Sequence, residues 1–162
     1  MQKHDAIIFE CNDNYYIIQR SKQAPDAAIS ASENVALTKK LNRATTDEEI
    51  GSAVIEAINN YGKIAPEFSP WQLKELRAQL CKWTESKTYP SLMRNSRLIS
   101  VEKDFQHESV SVIPFDNFNI NAWETLLEAK AITLPMTPTN TEVGEAVRKA
   151  FEIATYHPQK NN

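Results

Sequence analysis

His107 lies three residues after Asp104 and directly before Glu108, and an imidazole between carboxylates is a pattern a general base can use. Nothing around it supplies a nucleophile or an oxyanion device, so the spacing predicts a solvated hairpin turn. His4 and His157 stand near the chain ends, and Cys11 and Cys81 match no metal or redox spacing. Only three glycines occur, whereas phosphate loops and nucleophile turns lean on glycine. These observations predict no enzyme, no cofactor and no metal centre. The carboxylates Glu102, Asp104, Glu108 and Asp116 gather around the same turn, with Asp47, Glu48 and Glu49 forming a second acidic group. They read either as solvated faces or as a patch for a basic partner. Trp71, at a helix start, is a candidate interface residue.

The elements that position these groups follow from a repeat. Thr-x-x-Glu-(Ile/Val)-Gly-x-Ala-Val-x-x-Ala occurs as Thr46–Ala57 and again as Thr139–Ala150. Each copy opens with a Thr N-cap and Glu three residues on, the signature of a reciprocal capping box. That role suffices for Glu49 and Glu142 without a catalytic one. Ile50, Ala53, Val54 and Ala57 recur at helical spacing, as do Val143, Ala146, Val147 and Ala150. Gly51 and Gly144 hold one place in both copies, and a helical glycine costs up to about 1 kcal/mol, so a tight packing site is expected at each.

Ala6–Phe9 and Tyr15–Ile18 are β-prone runs around an Asn12-Asp13-Asn14 turn. Ala27–Ile29 and Val35–Leu41 read as further strands, and Asp47 to about Asn60 as the first helix. Ser69, Pro70 and Gln72 open a second, with Leu73, Leu76, Leu80 and Trp83 on one face. Leu98–Lys103 and Ser109–Phe115 alternate as strands of a sheet with one wet face. Asn121-Ala122-Trp123-Glu124 starts a short helix, Ala131–Leu134 is a last strand, and a helix runs from Asn140 to about Tyr156. The expectation is an α+β fold, one domain over 1–162, with a mainly antiparallel sheet. Two strand-plus-helix halves, about 1–62 and 88–157, are joined by a bridging helix at about 70–84.

A net charge of −3 argues against a nucleic-acid binder, which needs Lys and Arg to neutralise phosphates. No apolar run approaches the roughly 20 residues of a membrane span, and the N-terminal apolar run is too short for a signal peptide. A cytoplasmic protein with two free thiols is expected.

From about Asn42 to His157 the chain resembles the immunity proteins of bacterial contact-dependent growth inhibition systems. The resemblance is carried by the Thr46–Ala57 motif, by Ser111-Val112-Ile113-Pro114-Phe115-Asp116, and by Ile132-Thr133-Leu134-Pro135 running into Thr139–Ala150. It implies a small cytoplasmic protein that binds and neutralises the toxic C-terminal domain delivered by a neighbouring cell of the same kind, and a one-to-one complex is expected. Such toxins are often nucleases, with ribonucleases common among them. Some proteins of this type look like the Whirly fold, which suits the doubled motif. The family supplies no catalytic residues, and toxin-contacting positions vary between pairs. Charge points to Glu102, Asp104, Glu108 and Asp116 as toxin-binding residues. The alternative is a Whirly-like nucleic-acid-binding or regulatory module, which needs Lys39, Lys40 and Arg43 to cluster with exposed Tyr15 or Tyr16.

Overall fold

The computed structural model describes residues 2–22, 32–64, 69–118 and 125–158. Strands β1 (Lys3–Cys11), β2 (Asn14–Arg20) and β3 (Asn34–Asn42) precede helix α1 (Asp47–Asn59). Helices α2 (Pro70–Trp83) and α3 (Tyr89–Asn95) follow, then β4 (Arg97–Asp104) and β5 (Ser109–Asp116). The short β6 (Thr125–Leu126), β7 (Ile132–Pro135) and α4 (Asn140–Ile153) complete the described elements. The expected strand at Ala27–Ile29 and the helix start at Asn121–Glu124 lie outside the described residues.

The fold is α+β with an antiparallel seven-stranded sheet in the order β3-β2-β1-β4-β5, where β6 and β7 both pair with β5. The β1–β2 pairing is set locally. Asn12 and Asp13 take left-handed φ values of 52° and 61°, the primed turn that closes a tight hairpin, and Asn and Asp tolerate that region better than other side chains with a Cβ. The central pair is β1 with β4, registered through Ile8 opposite Ile99 and Ala6 opposite Val101.

Both faces of the sheet's centre are covered, which corrects the expectation of one wet face. Ala6, Ile8, Ile17, Ile99, Val101 and Val112 lie under α1 and α4. Ile7, Phe9, Ile18 and Leu98 meet Leu80 of α2 and Leu92 and Met93 of α3 on the other side. β1 and β2 are continuous apolar runs because they are buried on both faces. The alternation in β4 and β5 reports only the end of the sheet beyond α2 and α3. Helix α3 was not expected from the sequence. At seven residues, started by Thr88 and Pro90, it is too short to display helical periodicity.

The two motif helices meet through their glycines. A Cβ built on Gly51 falls 1.7 Å from the carbonyl oxygen of Asn140, and one on Gly144 falls 1.9 Å from that of Asp47. Each glycine therefore receives the first turn of the other helix, at a separation no side chain permits. The caps differ. At α4, Thr139 accepts from the Glu142 amide and Glu142 accepts from the Thr139 amide, completing the box. At α1, Thr46 accepts from the Glu49 amide, but the Glu49 carboxylate takes the Thr45 hydroxyl instead, so only half of the expected box forms.

Gly51→Ala and Gly144→Ala should each destabilise the fold by about 1–3 kcal/mol through overpacking. The double variant should cost less than the two added together, because the first substitution already parts the helices the second would part. Urea melts of the three variants measure this. Unchanged midpoints would remove the packing argument.

Candidate partner-binding surface

The β4–β5 turn is built on Asp104. Its Oδ1 accepts the amides of Gln106 at 2.9 Å and His107 at 3.1 Å, and its Oδ2 lies 2.8 Å from His107 Nδ1. These bonds, the His107 ring first and the amides next, hold the Asp104 carboxyl down at about 2. Glu108 closes the turn at φ 48° and is exposed. Chemically, the His107–Asp104 contact shapes the turn. His107 stands out in solvent on a hairpin tip, not in a cleft.

Strand alternation sends Glu102 and Asp104 to the sheet face opposite Val101. Lys3 lies directly across from Asp104 on β1, its Nζ 3.3 Å from Glu102 and 3.7 Å from Asp104, and Glu102 first among its neighbours raises the Lys3 pKa. Asp5, opposite Glu102, pairs with Arg20 Nε at 3.5 Å. Burial raises the Asp5 pKa more than Arg20 lowers it. This end of the sheet is a mosaic of alternating charge beyond the cover of α2 and α3.

Of the four carboxylates marked by the sequence, the structure brings together Glu102, Asp104 and Glu108. Asp116 is elsewhere, a correction to the expected patch. It ends β5, roughly 23 Å along the strand from Ser109 at about 3.3 Å per residue. There it accepts from the Thr155 hydroxyl at 2.7 Å and the Phe118 amide at 3.0 Å, bonds that lower its pKa. Closeness in sequence misled because a strand carries its ends apart.

A second charged constellation escaped the sequence reading. Glu10, 1% exposed, sits under the end of α4. Arg97 Nη2 donates to both its oxygens at 2.8 Å and Tyr156 OH donates at 2.6 Å, while Arg43 Nε stands 3.8 Å away. Arg97 Nη1 also donates to the Phe151 carbonyl at 2.6 Å, satisfying an orphan acceptor in the last turn of α4. The signal for it in the sequence is Glu10, a lone acid continuing the apolar run Ala6–Phe9. Arg148, on α4, grips the α1 entry by donating to Asp47 Oδ1 at 2.5 Å, to the Arg43 carbonyl at 2.8 Å and to the Thr45 carbonyl.

The basic, aromatic face needed for a nucleic-acid module does not form from the expected residues. Tyr15 is buried and stacks on Phe151, and Tyr16 is fully buried. Lys40 pairs with Glu85 at 3.7 Å, and Arg43 is held by Glu10 and Asp13. Trp71 is 67% exposed on α2, in keeping with its place off the apolar stripe. Among the described residues no helix is long and apolar enough to cross a membrane, and no group of His, Cys, Asp or Glu could hold a metal ion. Both cysteines are buried and free, and burial pushes the Cys11 thiol up to about 11.

Comparison with known proteins adds a family and two solved structures of the same fold. The family described as CDI immunity protein matches residues 5–154. A protein of unknown function from Neisseria meningitidis shares the fold with a TM-score of 0.74 at 18% identity, over 95% of this chain and 96% of that one. A CdiA-CT/CdiI toxin and immunity complex from Yersinia pseudotuberculosis contains a chain with a TM-score of 0.70 at 12% identity, over 96% of this chain and 99% of that one. No curated protein matches the chain.

Two stability outcomes follow. Arg97→Ala should cost about 3–5 kcal/mol by leaving Glu10 buried with weaker compensation, and Glu10→Leu with Arg97→Met should cost less than that single change; chemical denaturation checks both. Asp104→Asn should lower the melting midpoint at neutral pH. A depressed folded pKa contributes stability above the unfolded value of about 3.9 and loses it as pH falls through the folded one. The gap between wild type and Asp104→Asn should therefore close between about pH 4 and pH 2, read by thermal melts across that range.

Proposed function

The chain belongs to the CDI immunity protein family, and from that membership we propose that it acts in the cytoplasm by binding, one to one, the C-terminal toxin domain of a contact-dependent growth inhibition effector. Binding, not catalysis, is its mode of action. The single observation that carries this reading is the family match across residues 5–154. The Yersinia neighbour, a toxin and immunity complex, supports a protein as the partner. The geometry agrees, since the one histidine–carboxylate contact flagged for chemistry is spent on shaping an exposed turn.

The toxin is of the nuclease class, with ribonuclease favoured. A nuclease presents cationic groups to phosphate, and a chain of net charge −3 carrying Glu102, Asp104 and Glu108 at one sheet end offers the complementary sign. Of the three, Glu108 has the freest carboxylate, Glu102 shares Lys3, and Asp104 is committed to the turn. Asp116 offers a separate contact at the far end of β5.

The test uses the C-terminal domain of the protein encoded immediately upstream of this chain's gene, taken as the candidate toxin and disabled by mutation. Sedimentation should show a one-to-one complex. In surface-plasmon measurements, Glu102→Lys with Glu108→Lys should slow association severalfold at low salt, and the difference should shrink at 0.5 M salt as screening shortens to a few ångströms. Absence of a complex would overturn the function. Equal association rates for both proteins at both salts would move the contact away from these carboxylates.

A further inference from the structure

The doubled motif aligns two ends of the α1/α4 face that chemistry has made different. At the spacing that carries Thr46 onto Thr139, Glu10 corresponds to Lys103, Asp47 to Asn140, and Arg148 to Ile55. The register agrees, for Glu10 lies opposite Arg97 on the central strand pair, and Lys103 lies opposite His4, the residue Arg97 corresponds to. At the Glu10 end the groove between helix and entry loop is full. Arg148 spans it to the Arg43 and Thr45 carbonyls and to Asp47, and Arg97 and Tyr156 close over Glu10.

At the other end Ile55 stands in the place of Arg148 and is too short to reach across. The result is an open cavity of about 220 Å³ whose walls include Ile55, Ile58, Val101, Val110 and Val143, with the Met136–Pro138 loop on its rim. Lys103 also lines it, half-buried. Its ammonium lies 5.5 Å from the Phe105 ring, and none of the described residues pairs it with a carboxylate. Both acids of the filled end are gone here, one replaced by an amide and the other by a cation. The cavity is smaller than the roughly 300–1,000 Å³ of small-molecule sites and of a size for one side chain. Interface anchors occupy pockets of this kind.

We propose that this cavity is the socket for one apolar side chain of the toxin domain, carried beside an Asp or Glu whose carboxylate pairs with Lys103. The inference rests on the toxin-binding reading above and names a contact within it. A basic guest is excluded by Lys103, and an apolar guest alone would leave that ammonium unpaired next to the closed contact. The socket opens at the same end of the molecule as the β4–β5 turn, since Lys103 immediately precedes Asp104. One toxin surface reaches both, with the turn governing association and the socket governing dissociation.

The experiment is surface-plasmon binding of the disabled upstream toxin domain to four forms of this chain. Lys103→Met and Ile55→Trp, the latter filling the cavity, should each dissociate at least tenfold faster than wild type with association unchanged. Lys103→Arg should remain within about threefold of wild type, which a general loss of structure would not allow. Thermal melts accompany each form, and if Ile55→Trp melts early, Thr137→Trp blocks the exposed mouth instead. Wild-type dissociation rates for Lys103→Met and the filled variants would overturn the socket while leaving the proposed function standing. Failure of wild type to bind would overturn both.

Discussion

The contact on which the structure depends is the reciprocal seating of α1 and α4. Gly51 admits the backbone of Asn140 and Gly144 admits that of Asp47, each within 2 Å of where a Cβ would stand. That approach fixes how far apart the helices lie and brings both apolar stripes down onto one sheet face. Ile50, Val54, Val143 and Val147 are then buried together over Ile8, Ile99 and Val101. Helix entry is fixed at the same place, since the crossing point falls at the first turn of each helix, where Thr46 and Thr139 cap. The glycine's propensity cost of up to about 1 kcal/mol is offset by burial worth about 25 cal/mol per Å².

With the centre of that face covered by α1 and α4 and the centre of the other by α2 and α3, little of the described sheet is left to meet a partner. Among the described residues, what remains of the sheet is one end. The charged turn lies on one side of the sheet there, and the open cavity beside Lys103 on the other. The opposite end is closed by Glu10, Arg97, Tyr156 and Arg148. A buried ion pair of this kind is weak evidence for stability, because desolvation can match its attraction. Its visible role is placement, tying β1 and β4 to the last turn of α4.

Much of this was legible in the sequence where the cause is local. Capping residues, the Asn12-Asp13 turn and the repeated glycines each act within a few residues, and the order of strands and motif helices followed from them. What was not legible depends on distance. Nothing near Asp116 says that β5 carries it roughly 23 Å from the turn. The Glu10–Arg97 pair joins residues far apart in the chain, and α3 is too short to show a period. The cover on the second face comes from helices whose docking the alternation of β4 and β5 does not encode. At α1 a neighbouring hydroxyl, Thr45, captured the carboxylate that the box pattern assigned to the Thr46 amide, a competition between adjacent residues that a motif cannot rank.

The central claim is that this chain protects a cell by occupying a toxin. Its most direct measurement is growth of bacteria induced to make the upstream toxin domain, with and without this chain, beside a toxin domain from an unrelated effector. The account predicts that growth is restored against the upstream toxin and not against the unrelated one. Growth arrest at the same rate with and without the chain, in cells shown to contain it in folded form, would contradict it.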